Sequence, residues 1–387
     1  MAKKKEVEGI MGFFGVNKPL FVERELTGDN IERFVDREEL LARFKSAIQF
    51  KKTCAITGKE GSGKSSFLLK LMAEMKRAMY CDYLQFSFPS NEFDKSRLHF
   101  LRAILHSILY LIDRNDALLA LFDKDQIAFE KKRLEYSITI ENQVRKQANV
   151  DGEISGGIKN DFFKMMLPFD VAGKVATSRS KEEGKGETID YPVHNENTLY
   201  ESITKISQEL MNPIVLFIDE LDKIGRFPLE TPEWDRELIK ILELSREIMA
   251  NDKLIMVFSL QDELYQKLLK AKQGKEGGSV IGLINYFKRL GGFDWEFAKS
   301  AVIQSLKVSG YPGAIGDLFE KGVLEIVLDV VKGNPRLFMT YLSELCIEAY
   351  QDNQHIIALD LLKEYLFELF EEEMTEDRWQ ELLKKAA

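Results

Sequence analysis

The chain has 387 residues, 45% of them hydrophobic, and a formal net charge of −9. That length and apolar content suffice for two or three packed units, and the acidic balance argues against a surface coated for nucleic acid. Three cysteines and four histidines lie far apart, giving neither a disulfide framework nor metal-ligand spacing, which suits a reducing cytoplasm. The mixed-charge start Met1 to Val7 lacks the apolar stretch of a secretory signal. No uncharged apolar run reaches the roughly 20 residues of a membrane helix, so no integral membrane segment is expected.

Residues 1–30 read as an irregular leader containing Gly12, Gly15, Pro19 and Gly28, after which Asp29 or Asn30 caps a helix through Phe44 and Ile48. A strand is predicted at Thr53 to Thr57, then a glycine-rich turn. A helix from Lys64 to Met79 follows, with Phe67, Leu68, Leu71, Met72 and Met75 at helical spacing. Tyr80 to Phe86 is the next strand, and amphipathic helix follows from Lys95 to Asp113 and on to about residue 147. Over 148–196 glycines interrupt short alternating segments and 174–185 is lysine-rich, the texture of an inserted hairpin. Helical pattern resumes at 197–211, and Pro213 precedes the apolar strand Ile214 to Ile218. Glu237 to Ala250 is a helix, Lys253 to Ser259 a strand and Ile284 to Leu290 a fifth strand; from 294 onward the pattern is helical. The economical fold is α/β, a parallel sheet flanked by helices, with a C-terminal helical domain. The expected division is a leader at 1–30, a core at 31–293 and a helical lid at 294–387.

Two motifs carry chemistry. Gly58-Lys59-Glu60-Gly61-Ser62-Gly63-Lys64-Ser65 fits G-x-x-x-x-G-K-[ST] at every fixed position, between a strand and a helix as the motif requires. Its glycines let the backbone form a cradle of N–H donors for phosphate, and the helix that opens at Lys64, Ser65 and Ser66 adds its positive dipole end. Lys64 reaches the β- and γ-phosphates, and Ser65 ligates Mg²⁺. A chance glycine turn would not come with both flanks. The strand Ile214 to Ile218 then delivers Asp219 and Glu220 at its carboxyl edge, where ligands of open α/β sheets bind. Asp219 is expected in the Mg²⁺ shell, and Glu220 is expected to orient and polarise the attacking water. Asp222 is read as capping or solvating the next helix.

With these residues joined, the chain resembles an AAA+ P-loop ATPase, within the branch shared by origin-recognition initiators and STAND signalling ATPases. Phe34-Val35-Asp36-Arg37-Glu38-Glu39-Leu40 resembles the segment that packs near the adenine in those families, which implies nucleotide contacts for Val35 and Arg37. Gly333-Asn334-Pro335-Arg336 is similar to the sensor 2 motif that opens a lid helix. The resemblance implies that Pro335 and Arg336 lie at the nucleotide and that Arg336 contacts the γ-phosphate, acting with Lys64 and Glu220 in catalysis. Ser259 or Gln261 occupies the place of sensor 1, where a plain polar strand end is an equal alternative. The chain also departs from the pattern. No arginine stands between Arg246 and Arg289, so the usual arginine-finger position offers only lysines, among them Lys270, Lys272 and Lys275, with Arg226 a remote substitute. Only about fifty residues follow Arg336, and their helices, Leu337 to Tyr350 and Ile357 to Glu373, do not make a complete winged helix.

Within the insertion, Phe162 to Phe169 is an apolar cluster followed by Lys174, Arg179, Lys181 and Lys185. It fits either a small local core or a projection that contacts a partner. The functional expectation is a cytoplasmic ATPase that binds ATP with Mg²⁺ and hydrolyses it. Its two nucleotide states would control a protein partner or its own homo-oligomeric state, in defence or signalling. The alternative is a DNA-binding initiator or loader acting in replication or transposition. A small-molecule kinase fits poorly, because the Asp219-Glu220 pair suits water activation.

Overall fold

The computed structural model describes residues 9–22, 26–35, 37–86, 96–150, 193–221, 223–224, 227–228, 241–243, 245–266 and 284–387. The insertion cluster at 162–169 and its basic neighbours, Asp222, Arg226, Lys270, Lys272 and Lys275 lie outside these residues.

Five strands form a parallel sheet in the order β2-β3-β6-β1-β7. They are β1 (Cys54–Gly58), β2 (Tyr80–Gln85), β3 (Ile214–Asp219), β6 (Leu254–Gln261) and β7 (Tyr286–Arg289); β4 (Lys223–Ile224) and β5 (Phe227–Pro228) make a small separate antiparallel pair. Every residue of β3 is buried, which is why its sequence runs apolar without alternation. In its ladders Tyr80 pairs with Ile214 and Gln85 with Asp219 on one side, and Ile218 pairs with Phe258 on the other. The α/β class and the helical C-terminal region are those the alternating pattern predicts.

Two compact units divide the chain. One comprises Ala47–Ala55 and Met75–Tyr286. In it α3 (Ser96–Asp113) and α6 (Glu196–Glu209) turn Ile104, Leu105, Ile108, Leu199, Ile203 and Ile206 into the core that holds Ile214, Leu216 and Ile218 of β3. Burying one such side chain contributes about 2 kcal/mol, so this cluster is the main driving force of the unit. Asn195 caps α6 in a reciprocal capping box with Thr198. Between these helices lie α4 (Asp116–Leu119) and α5 (Lys124–Val150), and α7 (Arg246–Met249) precedes β6.

The other unit comprises Met1–Ser46, Ile56–Glu74 and Phe287–Ala387. It contains α1 (Glu38–Gln49, up to Ser46), α2 (Lys64–Met75, up to Glu74) and the C-terminal helices α8 (Trp295–Ser309), α9 (Ile315–Leu318), α10 (Val323–Val330), α11 (Pro335–Gln351), α12 (Leu359–Phe370) and α13 (Glu376–Ala386). The leader enters the helical core: Phe14, Val16, Leu20 and Phe21 are buried with Val302, Leu306, Phe338 and Leu342, and the Phe13 ring stacks on His355 at 4.1 Å. The helix expected from Asp29 to Ile48 is broken into a 3-10 turn (Gly28–Arg33) and α1. The break has a visible cause. Arg33 is buried, with its Nη1 donating to Leu20 O and Ser305 O, its Nη2 to Pro19 O and Ser309 Oγ, and its Nε to Asn30 Oδ1. Helical continuation would withdraw the guanidinium from these five acceptors, so Phe34 turns to extended backbone instead. Beyond the two helices expected after Arg336, Glu376–Ala386 forms α13, capped by Thr375 and anchored by buried Trp379 and Leu382.

Candidate functional site

The Gly58–Ser65 loop leaves β1 and enters α2 within the second of these units. Gly61 and Gly63 hold φ of +74° and +90°, a left-handed backbone that side chains resist. Space is as restrictive as torsion. A Cβ on Gly58 would stand 2.5 Å from Ser62 Oγ and 2.9 Å from the Leu290 carbonyl, and one on Gly61 would stand 2.5 Å from Asn334 Oδ1. Gly61 is therefore required by torsion and by space, Gly58 by space and Gly63 by torsion. Lys64 Nζ donates to the carbonyls of Gly58 (2.9 Å) and Lys59 (3.0 Å), which folds the ammonium over the loop. Ser66 Oγ, one turn into the helix, accepts from the Leu26 amide at 3.2 Å.

The Gly333–Arg336 turn lies against this loop. Asn334 caps α11, its Oδ1 accepting from the Arg336 and Leu337 amides, while Pro335 occupies a first-turn position where a missing N–H costs nothing. The same Asn334 side chain donates through Nδ2 to the Glu60 carbonyl at 3.2 Å, and the Arg336 amide also donates to the Gly61 carbonyl at 3.2 Å. The Arg336 guanidinium pairs with Glu60, Nη1 to Oε1 at 3.5 Å, with both side chains substantially exposed. Behind the turn, Phe293 N donates to Gly333 O at 2.7 Å, and a Cβ on Gly333 would stand 2.5 Å from Phe293 O. Gly291 completes the arrangement by accepting from Arg37 Nη2 at 3.0 Å, and the Arg37 guanidinium also lies 4.4 Å over the Phe297 ring. Val35 is half-buried on the coil between the 3-10 turn and α1.

Asp219 ends β3 in the first unit and Glu220 follows it. Asp219 is buried, and its carboxylate is held from two sides: Tyr83 Oη donates to Oδ2 at 2.6 Å and the Glu220 amide donates to Oδ1 at 3.0 Å. Glu220 stands at φ +62°, a conformation that costs a non-glycine residue roughly 1–2 kcal/mol and that the Asp219 side chain braces. The Phe86 amide donates to the Asp219 carbonyl, which fixes the backbone where the strand ends. Because Ile218 pairs with Phe258, Ser259 follows on β6 as Asp219 follows on β3; it is buried. Strand β6 was expected to end at Ser259 but runs to Gln261, since Leu260 is fully buried in the core and keeps the chain extended. Both sensor 1 candidates therefore lie inside the strand.

Thus the structure brings Gly58, Lys59, Glu60, Gly61, Ser62, Gly63, Lys64, Ser65 and Ser66 together with Pro335 and Arg336, while Arg37 is engaged with Gly291 and Phe297. The sequence left two contacts unforeseen. Tyr83 carries no motif, and only the β2–β3 register places it near Asp219; Asn334 entered the sequence reading only as part of the Gly333–Arg336 motif, not as a ligand of the Glu60 peptide. The glycine loop has the form and donors for phosphate, and in their separate units Ser65 carries a hydroxyl and Asp219 a carboxylate, each a hard oxygen donor of the type Mg²⁺ takes. Burial pushes the Cys54 and Cys81 thiols up to about 12 and that of Cys346 higher still, which disfavours the thiolate at neutral pH.

The family model described as the KAP family P-loop domain matches residues 44–290, well over half of the chain. No curated protein matches. Among solved structures, the ORC1 protein of Aeropyrum pernix in complex with DNA is 10% identical, with 89% of this chain and 68% of that one covered at a TM-score of 0.47. The ORC2 protein of the same organism, in ADPNP-ADP complexes, is 12% identical over 89% and 70% of the two chains, with a TM-score of 0.42. The Walker-type ATPase PABY2304 of Pyrococcus abyssi is 14% identical over 93% and 80%, also at 0.42.

Proposed function

This chain belongs to the KAP family of P-loop NTPases, and from that premise we propose that it is an ATP-binding and hydrolysing switch whose nucleotide state controls a protein partner or its own oligomeric state. The observation that carries the proposal is the Gly58–Ser65 loop, with left-handed Gly61 and Gly63 and the Lys64 ammonium folded over it. In this reading the loop amides and Lys64 hold the phosphates, and Ser65 and Asp219 serve as oxygen donors to Mg²⁺, which supplies charge neutralisation when bound. Glu220 orients the attacking water and takes up its proton at the carboxylate. Arg336 lies on the loop's Glu60-Gly61 segment, a position that supports a role in reading the terminal phosphate. Val35 and Arg37 are assigned to the nucleotide's base side, and Ser259 or Gln261 to sensing beside Asp219. A switch follows from the same arrangement: a ligand shifts an equilibrium only through differential contacts, and the lid turn touches the loop that receives the phosphates.

The test is ATP turnover by the purified chain beside Lys64→Ala and Glu220→Gln, with molecular size measured in ADP and in ATP, alone and with DNA. Lys64→Ala is expected to lose binding, and Glu220→Gln to bind ATP while losing at least a hundredfold in turnover, the usual contribution of such a group. Equal turnover in the wild type and Glu220→Gln would remove Glu220 from its role. If ATP neither binds nor changes size or partner affinity, the switch fails. DNA binding that weakens steeply with salt would instead favour an initiator or loader.

A further inference from the structure

The Asn334 side chain makes two kinds of contact at once. Its Oδ1 accepts from the first amides of α11, and its Nδ2 donates to the Glu60 carbonyl, so one planar amide spans the helix end and the glycine loop. The fit leaves no slack, because the space a Cβ on Gly61 would need is already filled by Asn334 Oδ1, Nδ2 and Cγ at 2.5, 2.9 and 3.1 Å. Two residues on, the Arg336 amide donates to the Gly61 carbonyl and its guanidinium pairs with Glu60. Glu60 therefore offers both a carbonyl to Asn334 and a carboxylate to Arg336. A carboxylate beside a glycine loop is an acidic group where phosphate charge is expected, and it competes with any phosphate for the same guanidinium. On its other side Gly333 lines a cavity of about 500 Å³ with Trp295, Asp329 and Lys332, so the turn is not packed solid away from the loop.

We propose that Asn334 is a positioning residue that seats Arg336 on the glycine loop, and that the Glu60 carboxylate is a built-in competitor which a nucleotide's terminal phosphate displaces from Arg336. This rests on the reading of the loop as an ATP site. The consequence is discrimination. ADP leaves the Glu60–Arg336 pair in place, whereas ATP exchanges it for a phosphate pair, so the two side chains set the ratio of ATP to ADP affinity rather than affinity for both.

The experiment measures dissociation constants of the full-length protein for ADP and for a non-hydrolysable ATP analogue with Mg²⁺, by calorimetry, for the wild type, Asn334→Ser, Glu60→Gln and Lys64→Ala. Serine retains an N-cap acceptor but is too short to reach the Glu60 carbonyl, so Asn334→Ser keeps the helix start while cutting the link. The expected result is a loss of about tenfold in preference for the triphosphate in Asn334→Ser, with ADP affinity changed less than threefold. Glu60→Gln removes the competitor and is expected to raise that preference by about the same factor. A merely structural Asn334 would shift both affinities or neither. If both variants keep the wild-type ratio while Lys64→Ala abolishes binding, the positioning proposal is overturned and the ATP reading stands. If Lys64→Ala binds both nucleotides as the wild type does, the ATP reading itself falls.

Discussion

Gly61→Ala tests the geometry of the site most directly. Alanine at φ +74° carries roughly 1–2 kcal/mol of left-handed strain. Its Cβ, 2.5 Å from Asn334 Oδ1, must also displace that amide, which forfeits about 1 kcal/mol of helix cap and about 1 kcal/mol for the hydrogen bond to Glu60. The sum is about 3 to 4 kcal/mol. Urea unfolding followed by tryptophan fluorescence reads it, since Trp295 and Trp379 belong to the unit that carries the loop, and Trp234→Phe silences the third. Gly12→Ala is the control: nothing lies within 4 Å of its Cβ and it sits in a helical turn, so it should be neutral or slightly stabilising. A loss below about 1 kcal/mol in Gly61→Ala would refute the claim that torsion and the Asn334 contact together demand glycine.

Arg33→Ala strands five acceptors around a buried cavity and should cost about 4 kcal/mol, with Arg33→Lys recovering only part because an ammonium lacks the planar fork; equal midpoints for the two variants in the same assay would contradict this. Tyr83→Phe frees Asp219 Oδ2 and is expected to cut ATP turnover at least fivefold while changing nucleotide affinity little, so unaltered steady-state turnover would deny Tyr83 any hold on the site. His194 gives a pH prediction. Burial, with Arg133 and Arg102 nearby, lowers its pKa from 6.5 to about 4. Above 6.5 the folded and unfolded forms are both neutral and stability is flat. As pH falls from 6.5 towards 4 the unfolded chain takes up a proton that the folded form refuses, and up to about 2 kcal/mol is lost after allowing for solvent screening. His194→Gln should flatten that window in the difference between the two stability profiles, and superimposable profiles would sink the assignment.

Local patterns determined a great deal. The Gly58 to Ser65 loop, its strand and its helix were legible because the fixed positions of the motif answer local demands: backbone freedom at the glycines, a cation of fixed reach at Lys64 and a hydroxyl at Ser65. The acid pair at the end of β3 was legible for a similar reason, since the five buried residues Ile214 to Ile218 read as an apolar run that the two acids terminate. The helix opening at Pro335 was legible through the Gly333–Arg336 motif.

Tertiary structure decided what those groups touch. A helix spanning Asp29 to Ile48 satisfies local periodicity, yet the five acceptors that break it at Arg33 come from the leader, its own turn and α8, and lie as far as 276 residues away. Tyr83 reaches Asp219 across 136 residues, and Asn334 reaches Glu60 across 274. Single hydrogen bonds of this kind are worth about 1 kcal/mol and leave no periodic trace along the chain. Sequence thus carried the part of the site written in torsion and composition, while the links that couple the glycine loop to the Gly333–Arg336 turn exist only once the backbone has brought those segments together.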